Sequence, residues 1–444
     1  MRCLTAIGNY RCSAENGAVS VAVRSRQIVF FLLACDRYRR AERSFLYAAR
    51  IFSNRQRMNN TKPSVIDLFC GCGGFSLGAE LAGFRSLVAI DIEPTLQSSF
   101  GKNFPSSKPV QADVSDINRA DWSLLIGDKR PDGIIGGPPC QGFSRIGKRS
   151  KDDPRNTLIH HFYRHVNLLQ PKFFVMENVE GLLDEDNIGV LEAAIGTVSH
   201  RYTVLGPFVV NAADFGAATN RRRTLVVGYD PNELALEQRL FDQVAVEIRA
   251  TVRDAISDLP SPVPRNPRDK SDFGWANYKI NSIATSEYAR SLRELPPDGL
   301  GWSSAIEHLS SGTVSGMFQT CHTPTVQNRY RSIPNGTSDP ISKSYRLSWN
   351  GQCPTIRAGT GSEKGAFQAV RPLHPSEPRV ITVREAARMQ AFPDWFIFHP
   401  TVWHSFRMIG NSVSPSVSFG VLSAIFKNLG HDEITRDQLK RRAA

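Results

Sequence analysis

Val65-Ile66-Asp67-Leu68-Phe69-Cys70-Gly71-Cys72-Gly73-Gly74-Phe75 is the stretch on which the fold turns. An apolar run of strand length, Val65 to Phe69, passes straight into a glycine-rich turn, and a short helix is predicted from there through Leu81. Glycines in such a turn admit positive φ and let the backbone approach a ligand. The dinucleotide fingerprint GxGxxG would need glycine at position 76, where Ser76 stands, so a nicotinamide cofactor is disfavoured. Taken alone, the turn is as readily structural as ligand-binding.

Working outward, the same texture repeats. Leu87–Ile90, closed by Asp91, reads as a second strand, and Gly133–Gly137 as a third. Asn156–Leu169 has Leu158, Phe162, Val166 and Leu169 at near-helical spacing. Phe173–Met176 and Thr224–Gly228 complete the series of strands. Apolar strands alternating with helices predict a doubly wound α/β fold with a mostly parallel sheet, whose ligands sit at the carboxyl ends of its strands. After about Asp230 the texture changes: residues 258–340 are rich in Pro, Gly, Ser and Arg and lack long periodic helices. Helices return at Thr382–Gln390 and Pro415–Phe426.

Bulk properties narrow the class. A chain of 444 residues, 41% hydrophobic and 22% charged, can bury a large core, as soluble globular proteins do. The net charge is +12, but residues 1–57 hold eleven Arg, no Lys and three acids, so +8 of it lies there. The body is mildly basic, and any nucleic-acid face must be local. The native chain is expected to start at Met58, with residues 1–57 as upstream sequence or a disordered arm; the alternative is a basic arm that touches nucleic acid. Eight cysteines include no CxxC pair and no zinc spacing, so no metal is expected and most thiols read as reduced and buried. No apolar run approaches the ~20 residues of a membrane span. Ile28–Cys35 is the best candidate for a signal segment, yet Arg37, Arg39 and Arg40 follow it without a small-residue cleavage pattern. A cytoplasmic protein is expected.

Three further constellations carry chemistry. Gly136-Gly137-Pro138-Pro139-Cys140-Gln141-Gly142-Phe143-Ser144 puts a cysteine after two prolines at a strand's end. A lone cysteine is usually an inert buried thiol; a stiff polar loop suits a nucleophile better. Glu177-Asn178-Val179 follows a wholly apolar strand, so the carboxylate should be partly desolvated and its pKa raised, allowing it to donate a proton. The plainer reading is a helix cap. Arg221-Arg222-Arg223 precedes the last strand; a charge run is usually a solvated face, but at a site's mouth it neutralises phosphate or holds a carbonyl.

Together and in this order, these residues resemble the DNA (cytosine-5) methyltransferases of bacterial restriction-modification type. Asp67–Gly74 resembles that family's S-adenosylmethionine loop, Asp91-Ile92-Glu93 the place of its ribose-binding acid, and Asp113 the acid that meets the adenine amino group. The Pro-Cys loop, the Glu-Asn-Val, Arg384–Pro393 and Gly410-Asn411-Ser412-Val413 match its later motifs. The resemblance covers residues 64–229 and about 345–426. It implies a Rossmann-like S-adenosylmethionine-dependent fold with a smaller target-recognition domain. The domains expected are a basic extension (1–57), a catalytic and cofactor-binding domain (58–250), a target-recognition region (251–345) and a C-terminal segment returning to the catalytic domain (346–444). It further implies that Phe69, Gly71, Gly73, Asp91, Ile92, Asp113, Pro139, Asn411 and Val413 bind S-adenosyl-L-methionine, and that Gln141 and Ser144 touch DNA. Two departures stand out: Ala218-Thr219 replaces the usual Pro-Gln ahead of the arginines, and Asp91 replaces the commoner Glu.

The implied mechanism makes Cys140 the thiolate that adds to cytosine C6, favoured by Arg223 or the sulfonium. Glu177 protonates N3 and Arg221 holds O2. The base must leave the stack of double-stranded DNA. Arg290, Arg293, Arg329, Arg331 and Arg346 of the recognition region are candidates to meet base edges or phosphate. A cognate restriction endonuclease acting separately is an implied partner, and a monomer is expected. The rivals are an RNA cytosine-5 methyltransferase and an inactive DNA-binding relative. The long irregular region favours a DNA reader, and intact Cys140, Glu177, Arg221 and Arg223 favour an enzyme.

Overall fold

The computed structural model describes residues 62–139, 157–241, 246–265, 269, 271–278, 286–358 and 370–431, with three short N-terminal strands. Those strands, Cys12–Glu15, Ala18–Val21 and Leu32–Leu33, form an antiparallel sheet within a separate unit, Met1–Lys62. Met58, the expected start, falls outside the described residues, as does most of the stretch 1–57. Everything below concerns the second unit, Pro63–Ala444.

Its centre is a sheet of seven strands: β1 (Ser64–Leu68), β2 (Arg85–Asp91), β3 (Lys108–Gln111), β4 (Gly133–Gly136), β5 (Phe173–Asn178), β6 (Thr203–Asn211) and β7 (Arg222–Tyr229). The order is β3-β2-β1-β4-β5-β7-β6. Neighbours from β3 through β5 run parallel, whereas β7 is antiparallel to both β5 and β6. The strand order reverses between β1 and β4, which opens a crevice at their carboxyl ends. The predicted doubly wound α/β class is therefore the observed one.

Period-two alternation gives each sheet face its own core. Ile66, Leu68, Val88, Ile90, Ile134, Phe174 and Met176 point to one face, where helix α2 (Thr157–Leu169) covers them with Ile159, Phe162, Tyr163 and Val166. Val65, Ile135, Phe173, Val175 and Val227 point to the other, together with Phe84, Val421, Ile425 and Phe426. Helix α1 (Gly74–Leu81) lies on this second face against α5 (Pro415–Asn428). The approach is close: a Cβ on Gly78 would stand 2.3 Å from Ser418 Cβ and 2.4 Å from the Phe419 nitrogen.

Two strands escaped the sequence reading, β3 and β6, and both are sheet edges. Lys108–Gln111 is short and mostly exposed, and Thr203–Asn211 carries Gly206-Pro207 in its middle. Edge strands tolerate Pro and need no apolar run, so they leave little signal.

The stretch 251–345 is loop-rich, with short helices at Val252–Ile256, Glu287–Leu292, Ser303–Ser310 and Pro324–Ser332. It is fastened to the α/β body by α3 (Val383–Met389), a helix capped by Thr382 and Glu385. Arg388 is wholly buried and donates to Asp394 (2.9 and 2.6 Å), Asp258 (2.7 Å) and the Ala255 carbonyl (3.0 Å). Arg384, equally buried, donates to the carbonyls of Ser315, Pro393 and Phe396. The C-terminal segment thus splits its work: α3 fastens residues 255–258 and 315, and α5 completes the sheet's cover. Between them runs α4 (Val402–Asn411), which the sequence reading did not predict. The most apolar 18-residue window within Val402–Asn428 has a mean hydropathy of 1.3, enough in composition for a membrane span. It breaks into α4 and α5 at Ser412–Ser414, and most of it is buried in the protein.

Candidate active site

The carboxyl ends of β1, β2, β4 and β5 open into a cavity of about 720 Å³. Its floor is the glycine turn. Phe69 (φ 65°), Gly71 (φ 53°) and Gly73 (φ 95°) all sit in left-handed backbone, which is costly for phenylalanine and easy for glycine. A Cβ on Gly74 would lie 1.9 Å from Ser412 Oγ and 2.3 Å from the Val413 carbonyl oxygen. The turn is thereby pressed against the residues after α4, and Asn411, Ser412 and Val413 form the opposite wall. Asp67, at the end of β1, is buried; Ser76 Oγ donates to its Oδ2 at 2.6 Å, and its Oδ1 has no hydrogen-bond partner. Burial pushes this carboxyl up to about 7, against the hydrogen bonds from Ser76. Cys70 and Cys72 lie in the same turn, but burial raises both thiols, Cys72 to about 12, which disfavours their thiolate forms.

Acids line the next side. Asp91 ends β2 and accepts the backbone N–H groups of Gly71 and Glu93, each at 2.8 Å. Burial raises its pKa, and those two bonds oppose the rise. Ile92 beside it is 60% exposed at the cavity. Glu93 meets Arg407 of α4 at 3.4 Å. Asp113 Oδ1 accepts Ser115 Oγ (2.7 Å) and Ser115 N–H (2.8 Å), which hold its carboxyl below the usual range. The sequence reading singled out Asp91, Ile92 and Asp113, and the structure brings all three to one cavity. It had not assigned roles to Asp67, Glu93, His161, Asn178 or Arg407, which line it too. Glu93 and Asn178 stood inside quoted motifs. His161 and Arg407 lie on helices, where a cavity-facing polar residue looks like any other.

At the far end of the cavity, Glu177 closes β5 and is buried. Arg223 Nε on the adjacent strand β7 lies 2.9 Å from Glu177 Oε1. Register explains the pair: β7 runs antiparallel to β5, with Thr224 opposite Asn178 and Leu225 opposite Glu177, so Arg223 reaches the strand's carboxyl end. Asn178 donates from Nδ2 to the Pro138 carbonyl (3.2 Å), which ties β5 to the Pro138-Pro139 turn. Pro139 lines the cavity. Cys140, Gln141 and Ser144, singled out from the sequence, lie outside the described residues.

Arg221, singled out with Arg223 from the sequence, also lines the cavity. Its guanidinium is buried and donates to the Ser412 carbonyl (2.8 Å) and the Ile356 carbonyl (3.5 Å). It clamps the cavity wall to its neighbours, and Arg223 is the arginine beside Glu177. The recognition-region arginines sort in the same way. Arg293 bonds Asp258, Arg329 bonds buried Asp339 (3.1 Å), and Arg346 donates to the carbonyls of Ile333, His374 and Glu377. These three are internal fastenings. Arg331 is exposed and donates to Asn328 (2.6 Å) on the outer face of Pro324–Ser332.

Comparison with known proteins agrees with this geometry. The family model for C-5 cytosine-specific DNA methylases matches residues 64–427. The Type II methyltransferase M.XorII of Xanthomonas oryzae pv. oryzae is 40% identical over 374 residues, covering 83% of this chain and 86% of that protein. M.DdeI of Desulfomicrobium norvegicum is 29% identical, covering 85% and 92%. The crystal structure of a DNA modification methyltransferase encoded within an E. coli prophage superposes with a TM-score of 0.74 at 42% identity, covering 83% of this chain and all of that one. The S. pombe Dnmt2 methyltransferase shares the fold at 18% identity and a TM-score of 0.53. From its strand order, its cavity and these matches, the chain belongs to the C-5 cytosine-specific DNA methylase family.

Proposed function

We propose that the protein uses S-adenosyl-L-methionine to methylate C5 of a cytosine flipped out of a specific duplex DNA sequence, through a covalent bond from Cys140 to C6. The observation that carries this reading is the Glu177–Arg223 pair at the inner end of the cavity. The Watson–Crick edge of cytosine offers an amino donor at N4 and acceptors at N3 and O2. A carboxyl group meets N4 and N3, and a guanidinium meets O2, so the pair fits that edge.

The cavity also fits the cofactor. Asp67, a cavity-lining residue whose Oδ1 is a buried, unpartnered acceptor, suits a ligand with two cationic centres. Asp91 keeps lone pairs for a ribose diol after accepting its two backbone N–H groups. Exposed Ile92 and left-handed Phe69 supply apolar surface for a ring, and Asp113 an acceptor for an exocyclic amine. Gly71 and Gly73 leave the backbone accessible, while Pro139, Asn411 and Val413 close the cavity. When bound, S-adenosylmethionine supplies an electrophilic methyl group on sulfonium sulfur.

The chain's own residues do the rest. Cys140 as thiolate adds to C6 while Glu177 gives a proton to N3, which turns C5 into an enamine carbon able to attack an electrophile. Arg223 holds O2 and steadies the adduct, a role that passes to it from Arg221. After methylation, loss of the C5 proton to water, departure of the Cys140 sulfur as thiolate and return of the N3 proton to Glu177 restore the neutral aromatic base. Gln141 and Ser144 are positioned in sequence to hold the DNA left behind. The enzyme is read as a cytoplasmic monomer that protects host DNA in a restriction-modification system, its cognate endonuclease acting separately.

Tritium transfer from labelled S-adenosylmethionine to mixed-sequence duplex DNA tests this, run beside Cys140→Ser and a tRNA substrate. Label in 5-methylcytosine of DNA with wild type alone is the expected result. Label in tRNA only would establish the RNA reading instead, and no label in either would leave the inactive DNA-binding relative.

A further inference from the structure

We infer that His161 is a second recognition residue for the adenine ring of S-adenosylmethionine, beside Asp113, and that Arg164 is the positioning residue that fixes which nitrogen of His161 carries the proton. The inference rests on the cofactor reading above.

His161 lines the cavity from α2, within electrostatic reach of Asp113. One turn on, Arg164 Nε–H donates to His161 Nδ1 at 3.3 Å. Only an unprotonated nitrogen accepts, so the neutral imidazole carries its hydrogen on Nε2. Burial, and then the charge of Arg164, lower the pKa of the ring and keep it neutral near pH 7. The same guanidinium donates from Nη2 to the carbonyls of Val114 (2.8 Å) and Ser115 (3.0 Å), and from Nη1 to Ile117 (2.8 Å). One planar fork therefore registers the His161 ring against the loop that carries Asp113. His165 reinforces it: its Nδ1 accepts Trp122 Nε1–H (2.9 Å), so its Nε2–H donates to the Val114 carbonyl (2.8 Å).

The wall thus offers an acceptor, the Asp113 carboxylate, near a fixed donor, His161 Nε2–H. Adenine offers the complement: an amino donor flanked by ring-nitrogen acceptors. Hypoxanthine replaces that amine with a carbonyl and puts hydrogen on N1, so it meets the Asp113 carboxylate with an acceptor. Three carbonyls engaged by one arginine would also serve a merely structural purpose, but such a role would not distinguish the two bases.

Calorimetric titration of the full chain with S-adenosylhomocysteine and with S-inosylhomocysteine separates these possibilities. Wild type is expected to prefer the adenine ligand. His161→Phe should weaken it about tenfold, the effect of one lost hydrogen bond, and narrow the preference. His161→Gln, which keeps a donor, should restore most of both. Arg164→Met should narrow the preference because either nitrogen of His161 can then carry the hydrogen. Unchanged preference in His161→Phe, or equal weakening of both ligands in both variants, overturns the inference. A wild-type chain that binds neither ligand overturns the cofactor reading, and the inference with it.

Discussion

Two carboxylate–guanidinium pairs, one wholly buried and one partly open to the cavity, divide this molecule. Arg388, at the root of the recognition region, is saturated: Asp394, Asp258 and a backbone carbonyl take up its fork. Arg223, in the cavity, meets Glu177 through one nitrogen, and the carboxylate oxygen it faces makes no well-aligned hydrogen bond. Both are ion pairs largely withdrawn from water, which as a class stabilise a fold weakly. What separates them is residual valence. A saturated pair fixes how one element docks on another, and an open pair waits for a third partner.

The comparison breaks first, and hardest, at the open pair. Glu177→Gln should lower methyl transfer by about a thousandfold, within the range for a lost proton donor, and Arg223→Ala by about a hundredfold. Both should leave the urea midpoint and S-adenosylhomocysteine affinity nearly unchanged. If either variant unfolds at markedly lower urea, the pair is architectural after all. Arg388→Met should do the opposite: it takes the closest cation from buried Asp394 and one of two from Asp258, and should cost about 3–5 kcal/mol in urea unfolding of the full chain.

Acid sharpens the same contrast. Burial alone would raise Asp394, but the charge and hydrogen bonds of Arg388 outweigh it and hold the carboxyl below its ordinary 3.8. A depressed carboxyl adds stability that is present above the unfolded value and lost as pH falls through the folded one. Below about pH 4 the melting temperature should therefore drop, and Asp394→Asn should flatten that drop while lowering the neutral-pH plateau. An unaltered acid limb would show that Asp394 does not carry it. Weaker still is Gly78→Ala, whose Cβ would collide with α5; it should cost about 1–3 kcal/mol by overpacking. The smallest effect belongs to exposed Arg331. Arg331→Ala should change stability by less than about 0.5 kcal/mol and show itself only as weaker DNA retention in a filter-binding assay. Arg329→Ala, which deprives buried Asp339 of its partner, should show the reverse.

Much of this was legible in the sequence because strands buried on both faces must be apolar. β1, β2, β4, β5 and β7 announced themselves in that way, and their chemically loaded residues fell at strand ends. The edges β3 and β6 did not, since one side of each faces no partner strand. Within the cavity, Asp91 and Glu177 were readable because each stands at the end of an apolar strand, whereas Asp113 follows the silent edge β3 and was pointed to by the family resemblance alone. His161 and Arg407 were not, because a helix presents polar residues to solvent and to a ligand with equal ease. Arg221 and Arg223 are two residues apart and alike in sequence. Only the antiparallel register of β7 on β5 says which of them meets Glu177.

The close contact of Gly78 with Ser418 has a consequence for order of assembly. One cavity wall, Asp67 to Gly74, is among the first parts of this unit to be synthesised, and the facing wall, Asn411 to Val413, comes after the whole recognition region. A nascent chain that already holds β1 to β7, Glu177 and Arg223 still lacks that wall and the helix that seats it on α1. The cavity thus waits for the whole chain: the ribosome delivers residues 251–345 before the segment that completes the cavity.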